Sequence, residues 1–228
     1  MLASGNLRLP PVLAGRGRAR IGLLGGSFNP AHRGHLHISR LALRVLDLDE
    51  VWWLVSPQNP LKSAEDMAPL ETRVKRALVV ARDRRIKVAP LETALGTRYT
   101  ADTLDALVLR FPRCRFVWLM GGDNLVDICR WTRWEHIFRT VPIAIFARPA
   151  YSLAGLHSRA ARRFANDRVP KYLERSLADL PPPAWAYFAT RLDPLSATSI
   201  RRGSARVPES RPSPLNESGG DSAVGLSC

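Results

Sequence analysis

The segment Gly25-Gly26-Ser27-Phe28-Asn29-Pro30-Ala31-His32-Arg33-Gly34-His35 concentrates the residue types that can do chemistry in this chain. Two glycines let a backbone turn tightly and approach a bound group closely. The residues after them open a helix, and a helix N-terminus offers unpaired N–H groups and a partial positive charge. His35 falls at the expected helix start and His32 one turn before it, with Gly34 leaving the space between them open. Two imidazoles at that spacing can face one anion together. The chemistry this suits is phosphate binding and stabilisation of charge on a phosphoryl group in transfer. A phosphate held there would favour the protonated rings, because opposite charge stabilises the cation.

Other phosphate and metal signatures do not fit. The chain has no Gly-x-x-x-x-Gly-Lys-Ser/Thr, so no P-loop is expected. Gly15-Arg16-Gly17 precedes the first apolar run instead of following it, which argues against a dinucleotide fingerprint. His37, His136 and His157 form no ligand pattern with His32 and His35, and zinc would need more partners than two histidines. No protein metal site is expected.

Such a turn needs a strand before it and a helix after it. Ile21 to Leu24 is a compact apolar run ending in Gly25-Gly26, and reads as a buried strand. Apolar residues at 36, 41, 42, 45 and 46 suit a helix with one buried face. Further strands are expected at Val51 to Val55, Ile86 to Ala89, Phe116 to Met120, Pro142 to Ala147 and Trp185 to Ala189. Leu70, Val74, Ala77, Leu78 and Ala81 recur at helical spacing, and Thr100 to Arg110 reads as a helix with Leu104, Leu107 and Val108 inward. Strands alternating with helices indicate right-handed βαβ units, and near-continuous apolar strands indicate cover on both faces. The expected fold is α/β: a Rossmann-like, doubly wound parallel sheet with helices on both faces, in a single domain. Ligands of such sheets sit beyond the carboxyl ends of the strands, where Gly25-Gly26 and Gly121-Gly122 both fall.

Composition narrows the class. The chain has 228 residues, 46% of them hydrophobic, enough for one domain with a sizeable core. No run approaches the roughly 18 apolar residues of a membrane span, so no membrane partner is expected. Cys114, Cys129 and Cys228 are scattered, which argues against a disulfide framework and fits a cytoplasmic protein. The formal charge is +14. It is compatible with a basic nucleic-acid-binding module or with an enzyme that gathers small polyanions. Arginine spread along the whole chain, without a tail or stripe, gives no reason to expect nucleic acid. Residues 1–19 read as a flexible leader, 20–202 as the domain, and 203–228, rich in Ser, Gly and Pro, as a disordered tail.

The Gly-Gly-Ser-Phe-Asn-Pro turn with His32-Arg33-Gly34-His35 resembles the nucleotidyltransferase superfamily that carries a His-x-Gly-His signature. Four further segments resemble one branch, the nicotinate-nucleotide adenylyltransferases. They are Gln58 to Lys62, Tyr99 to Leu104, Gly121 to Leu125 with Trp131, and Ser196 to Arg201. They occur in the family's order, and the resemblance spans about residues 20 to 202. It implies transfer of an adenylyl group from ATP to nicotinate mononucleotide, giving deamido-NAD and pyrophosphate, with Mg2+ accompanying ATP. It makes His32 and His35 catalytic. Gly25, Gly26, Ser27, Phe28, Asp123, Ser196, Thr198 and Arg201 would bind ATP, and Tyr99, Thr100, Trp131 and Lys62 the mononucleotide, with Arg73 a weaker assignment. Arg98 is a candidate cation for the ring carboxylate. Read alone, Trp131 suits packing, and Asp123, Thr100, Ser196 and Thr198 suit helix starts. Nicotinamide mononucleotide or phosphopantetheine would be the alternative acceptors. Asn29 stands where Asp is more usual in the family, and Cys129-Arg130 precedes Trp131 where a small residue or Pro would be expected.

Overall fold

In the computed structural model the residues described are 18–57, 67–147 and 155–189. Lys62, Ser196, Thr198 and Arg201, most of the expected leader and the whole expected tail lie outside them. The apolar runs form strands, and the segments between them form helices: β1 (Arg20–Gly26), α1 (Arg33–Val45), β2 (Glu50–Val55), α2 (Leu70–Val80), β3 (Ile86–Ala89), α3 (Leu91–Leu95), α4 (Thr100–Arg110), β4 (Arg115–Gly121), α5 (Gly122–Asp127), α6 (Trp134–Thr140), β5 (Ile143–Phe146) and β6 (Trp185–Phe188). A short helix, Arg159–Arg163, and a 3-10 stretch, Lys171–Asp179, lie between β5 and β6.

All strands pair in parallel, in the order β3-β2-β1-β4-β5-β6. β2 is buried at every position, which is why its sequence shows no polar alternation. Trp52 and Trp53 are 0% exposed, so neither offers a stacking platform. Helices cover both faces. Leu104, Leu107, Ile137 and Phe138 pack on one side of the sheet. Ala42, Leu43, Leu46 and Ala77 pack on the other.

One inward expectation fails, and one residue of the apolar spacing in α2 faces solvent. Val108 is 40% and Leu78 56% exposed. In α4 the buried stripe is turned toward Thr103, whose hydroxyl bonds the Tyr99 carbonyl at 3.1 Å and the Thr97 hydroxyl at 2.8 Å. In α2 the buried place is taken by Arg73.

The strand order fixes where a ligand can go. β1 and β4 are neighbours at the centre, and successive connections run outward from them in opposite directions. That leaves a crevice at their carboxyl ends. At the opposite ends of the same two strands, Arg20 and Arg115 both pair with Asp179, and Arg20 also reaches Asp47 at 2.8 Å. Ion pairs therefore fasten the amino ends. No helix among the described residues is long and apolar enough to cross a membrane.

Candidate functional site

The β1–α1 turn is built around a helix cap made of two histidines. His32 is the N-cap of α1, in extended backbone, and its Nδ1 accepts the Gly34 N–H at 3.2 Å. His35, in the first turn, returns the favour: its Nδ1 accepts the His32 N–H at 3.2 Å. This reciprocal pattern usually uses Ser or Thr with Glu or Gln. Here imidazoles do it, and α1 starts at Arg33, earlier than its apolar spacing alone indicates. The ring centroids stand 3.9 Å apart.

The cap determines which nitrogen carries hydrogen. Each Nδ1 is an acceptor, so each neutral ring bears its hydrogen on Nε2. A doubly protonated ring would give up its cap bond. In this arrangement the Nε2 side of each ring is the side that can donate.

Rings support this cap from below. Phe28 is 1% exposed and sits 4.6 Å from the His35 ring and 5.0 Å, stacked, from Trp53. Its φ of 47° is left-handed, a conformation residues with side chains adopt at some cost. The Trp53 indole donates to the Ser39 hydroxyl at 2.7 Å, which donates to the His35 carbonyl at 2.8 Å. Both faces of His35, ring and backbone, are thus tied to β2.

Arg73 is turned into the fold. It is 1% exposed, and its guanidinium donates to four backbone carbonyls at 2.7 Å: Ala68, Ser27, Ser56 and Pro57. One side chain therefore ties the loops after β1 and β2 to the entry of α2. Burial lowers its pKa, and the nearby Glu92 charge opposes that. Glu92, 7% exposed, has its pKa pushed up to about 7 by burial, against a hydrogen bond with Ser56 and the Arg73 charge. A sequence signal for this role existed: Arg73 lies between Leu70 and Ala77 on the apolar face of its helix, where a cation must find buried acceptors.

The second half of the site comes from β4 and the segment that continues from it. Gly25 is needed for packing against this half: a Cβ there would stand 2.4 Å from the Trp118 ring tip. Trp131 is half-buried and meets Trp118 edge-on, with centroids 6.4 Å apart. Asp123 is in the first turn of α5, directly after β4, and the N-cap of that helix is Gly121. Thr100 begins α4 and Tyr99 is its N-cap, without a side-chain cap bond. Arg98 is exposed, and its guanidinium lies 5.7 Å from the Tyr99 ring centroid.

The structure thus joins Gly25 and Gly26 at the end of β1 with Ser27, Phe28, His32 and His35, and connects Gly25 to Trp131 through Trp118. The sequence reading missed Trp118, Ser39 and Glu92. Cys114 and Cys129 have thiol pKa values raised by burial, which suits inert packing. Among the described residues no three His, Cys, Asp or Glu side chains cluster as metal ligands.

Residues 23–203 match the cytidylyltransferase-like family model. A protein of Methylorubrum extorquens, described as a probable nicotinate-nucleotide adenylyltransferase, is 51% identical over 182 residues, covering 80% of this chain and 98% of that one. One of the same description from Parvibaculum lavamentivorans is 52% identical over 182 residues, covering 80% and 90%. A structure of Plasmodium falciparum nicotinic acid mononucleotide adenylyltransferase complexed with NaAD superposes with a TM-score of 0.61 at 16% identity, over 81% of this chain and 83% of that one. At that identity the likeness concerns the fold.

Proposed function

We propose, from the premise that this chain belongs to the cytidylyltransferase-like family and within it to the nicotinate-nucleotide adenylyltransferases, that it transfers an adenylyl group from ATP to nicotinate mononucleotide. The observation that carries the chemistry is the two-histidine cap at the carboxyl end of β1, beside the central β1–β4 crevice. A phosphate oxygen of the mononucleotide attacks the α-phosphorus of ATP. The bond from that phosphorus to the bridging oxygen breaks, and pyrophosphate leaves; Mg2+ accompanying ATP would offset charge on the leaving group. The nucleophile is already an anion, so no general base is needed. What is needed is alignment of two polyanions and donors aimed at the charge that shifts onto the phosphoryl oxygens. His32 and His35 supply Nε2–H donors, and the N-terminus of α1 adds its dipole.

The mononucleotide's ring is assigned to the region of Trp131, Tyr99 and Thr100, with Arg98 as the cation that favours a ring carboxylate over a carboxamide. Asp123 is assigned to a ribose hydroxyl. Ser196, Thr198, Arg201 and Lys62 keep the phosphate and substrate roles their resemblance implies. Reaction in the cytoplasm is inferred from scattered cysteines and from ATP as co-substrate.

The test is pyrophosphate release from ATP and Mg2+ with nicotinate mononucleotide, nicotinamide mononucleotide or phosphopantetheine as separate acceptors. Release is expected to depend on nicotinate mononucleotide. Equal turnover of the nicotinamide compound would remove Arg98 from its role, and release with phosphopantetheine alone would move the chain to another branch.

A further inference from the structure

Trp131 opens a four-residue turn, closed by the Trp134 N–H on the Trp131 carbonyl at 3.2 Å. The third position of that turn is Arg133, with φ 55° and ψ 36°. Glycine or asparagine is the usual residue where a turn needs positive φ, because a longer side chain is strained there. The chain nevertheless places an arginine there, and its side chain has a destination. Its Nη1 donates to Asp102 at 2.7 Å and its Nη2 to Asp105 at 3.4 Å. Asp105 is also held by His136 Nε2, at 2.8 Å and 3.0 Å, from the first turns of α6. Asp102 is in the first turn of α4, the turn that begins with Thr100 and is capped by Tyr99.

We propose that Arg133 is a positioning residue that sets Trp131 relative to Tyr99 and Thr100, joining the two elements that would hold the mononucleotide's ring. The inference rests on the assignment of Trp131, Tyr99 and Thr100 to that ring. Arg133 reaches none of the β1–α1 turn, so its effect is confined to the acceptor substrate. The three paired side chains are 40–47% exposed, so the coupling is modest by nature.

The experiment is steady-state kinetics with both substrates varied, on Arg133→Ala, Arg133→Gly, Trp131→Ala and the Arg133→Ala/Trp131→Ala pair, with thermal unfolding of each. Arg133→Ala is expected to raise KM for the mononucleotide about fivefold, the ceiling for an exposed charge pair, and to move kcat and the KM for ATP by less than about twofold. Arg133→Gly is expected to match it, although glycine suits the turn better. In the Trp131→Ala background Arg133→Ala should add nothing, since the group it positions is gone. Wild-type kinetics in Arg133→Gly would show that only the backbone conformation matters and would overturn the inference. So would additive effects of the two substitutions, or a rise in both KM values together. An unchanged KM in Trp131→Ala overturns the ring assignment itself. A raised KM there with an unchanged one in both Arg133 variants overturns the inference alone. Should Arg133→Ala fail to fold, the Asp102→Asn/Asp105→Asn protein removes the same pairs with smaller side-chain changes and carries the same expectations.

Discussion

The two halves of the site are held by opposite means. The β1–α1 turn is anchored inward. Phe28 is buried under His35, Trp53 and Ser39 grip the His35 ring and carbonyl, and a fully buried Arg73 holds the Ser27 carbonyl. The Trp131 turn is anchored outward, through half-exposed pairs of Arg133 with Asp102 and Asp105. Buried, fully bonded groups tolerate little displacement, whereas exposed ion pairs are weak and screened. The half proposed to align the reacting phosphates is the rigid one. The half proposed to recognise a ring is held by forces small enough to adjust.

The largest effect should come from the hidden anchor of the rigid half. Arg73→Ala removes a buried guanidinium and leaves four partly buried carbonyls without their charged donor, and losing one side of such an arrangement costs about 3–5 kcal/mol at most. Urea unfolding should show this, and a loss below about 1 kcal/mol would break the contrast between the halves. Next is the chemistry that the rigidity serves. His35→Ala is expected to lower kcat about 100- to 1,000-fold with little change in either KM, the usual result of deleting a preorganised donor. A change in KM for ATP with near-normal kcat would make His35 a binding group and a cap only.

Glu92 gives a pH handle on the same half. Its pKa of about 7 in the folded chain is above the ordinary 4.5. The folded state therefore holds that proton more tightly than the unfolded one. Glu92 contributes stability fully below pH 4.5 and loses it as pH rises through about 7, by an amount on the order of 3 kcal/mol. Glu92→Gln keeps the shape and cannot ionise. Relative to wild type it should gain stability between pH 5 and pH 8 in urea titrations, and parallel changes in the two proteins would show that Glu92 ionises as freely folded as unfolded.

The same inward–outward contrast explains what was legible in the sequence. The strands of the sheet could be read because continuous apolar runs have few other fates. The His32–His35 turn could be read because glycines and histidines between a strand and a helix are informative by type and spacing. Arg73 reads from sequence as a weak substrate candidate, and its anchoring of loops 16 and 46 residues away is invisible in one dimension. Trp118 looked like any strand residue, because its value lies in Gly25 having no Cβ opposite it. Arg133 left no trace at all: its meaning is a positive φ and two acids about thirty residues away, neither of which a one-dimensional pattern displays.

The smallest expected effect tests whether the halves are as separate as their anchors. They meet at one buried wall, the Trp118 indole, which touches Gly25 on one side and Trp131 on the other. Gly25→Ala leaves an ordinary strand backbone but sets a methyl 2.4 Å from the ring tip, so the indole must shift. Overpacking of this kind costs about 1–3 kcal/mol, here toward the lower end because only one methyl is added. A shifted indole moves the edge on which Trp131 rests, while the phosphate turn stays bound to β2 and Arg73. The KM for the mononucleotide should therefore rise by a few-fold, about the factor that 1 kcal/mol corresponds to, with kcat nearly unchanged. If kcat falls as much as that KM rises, the disturbance has passed through Gly25 into the histidine cap, and the two halves form one mechanical unit despite their different fastenings.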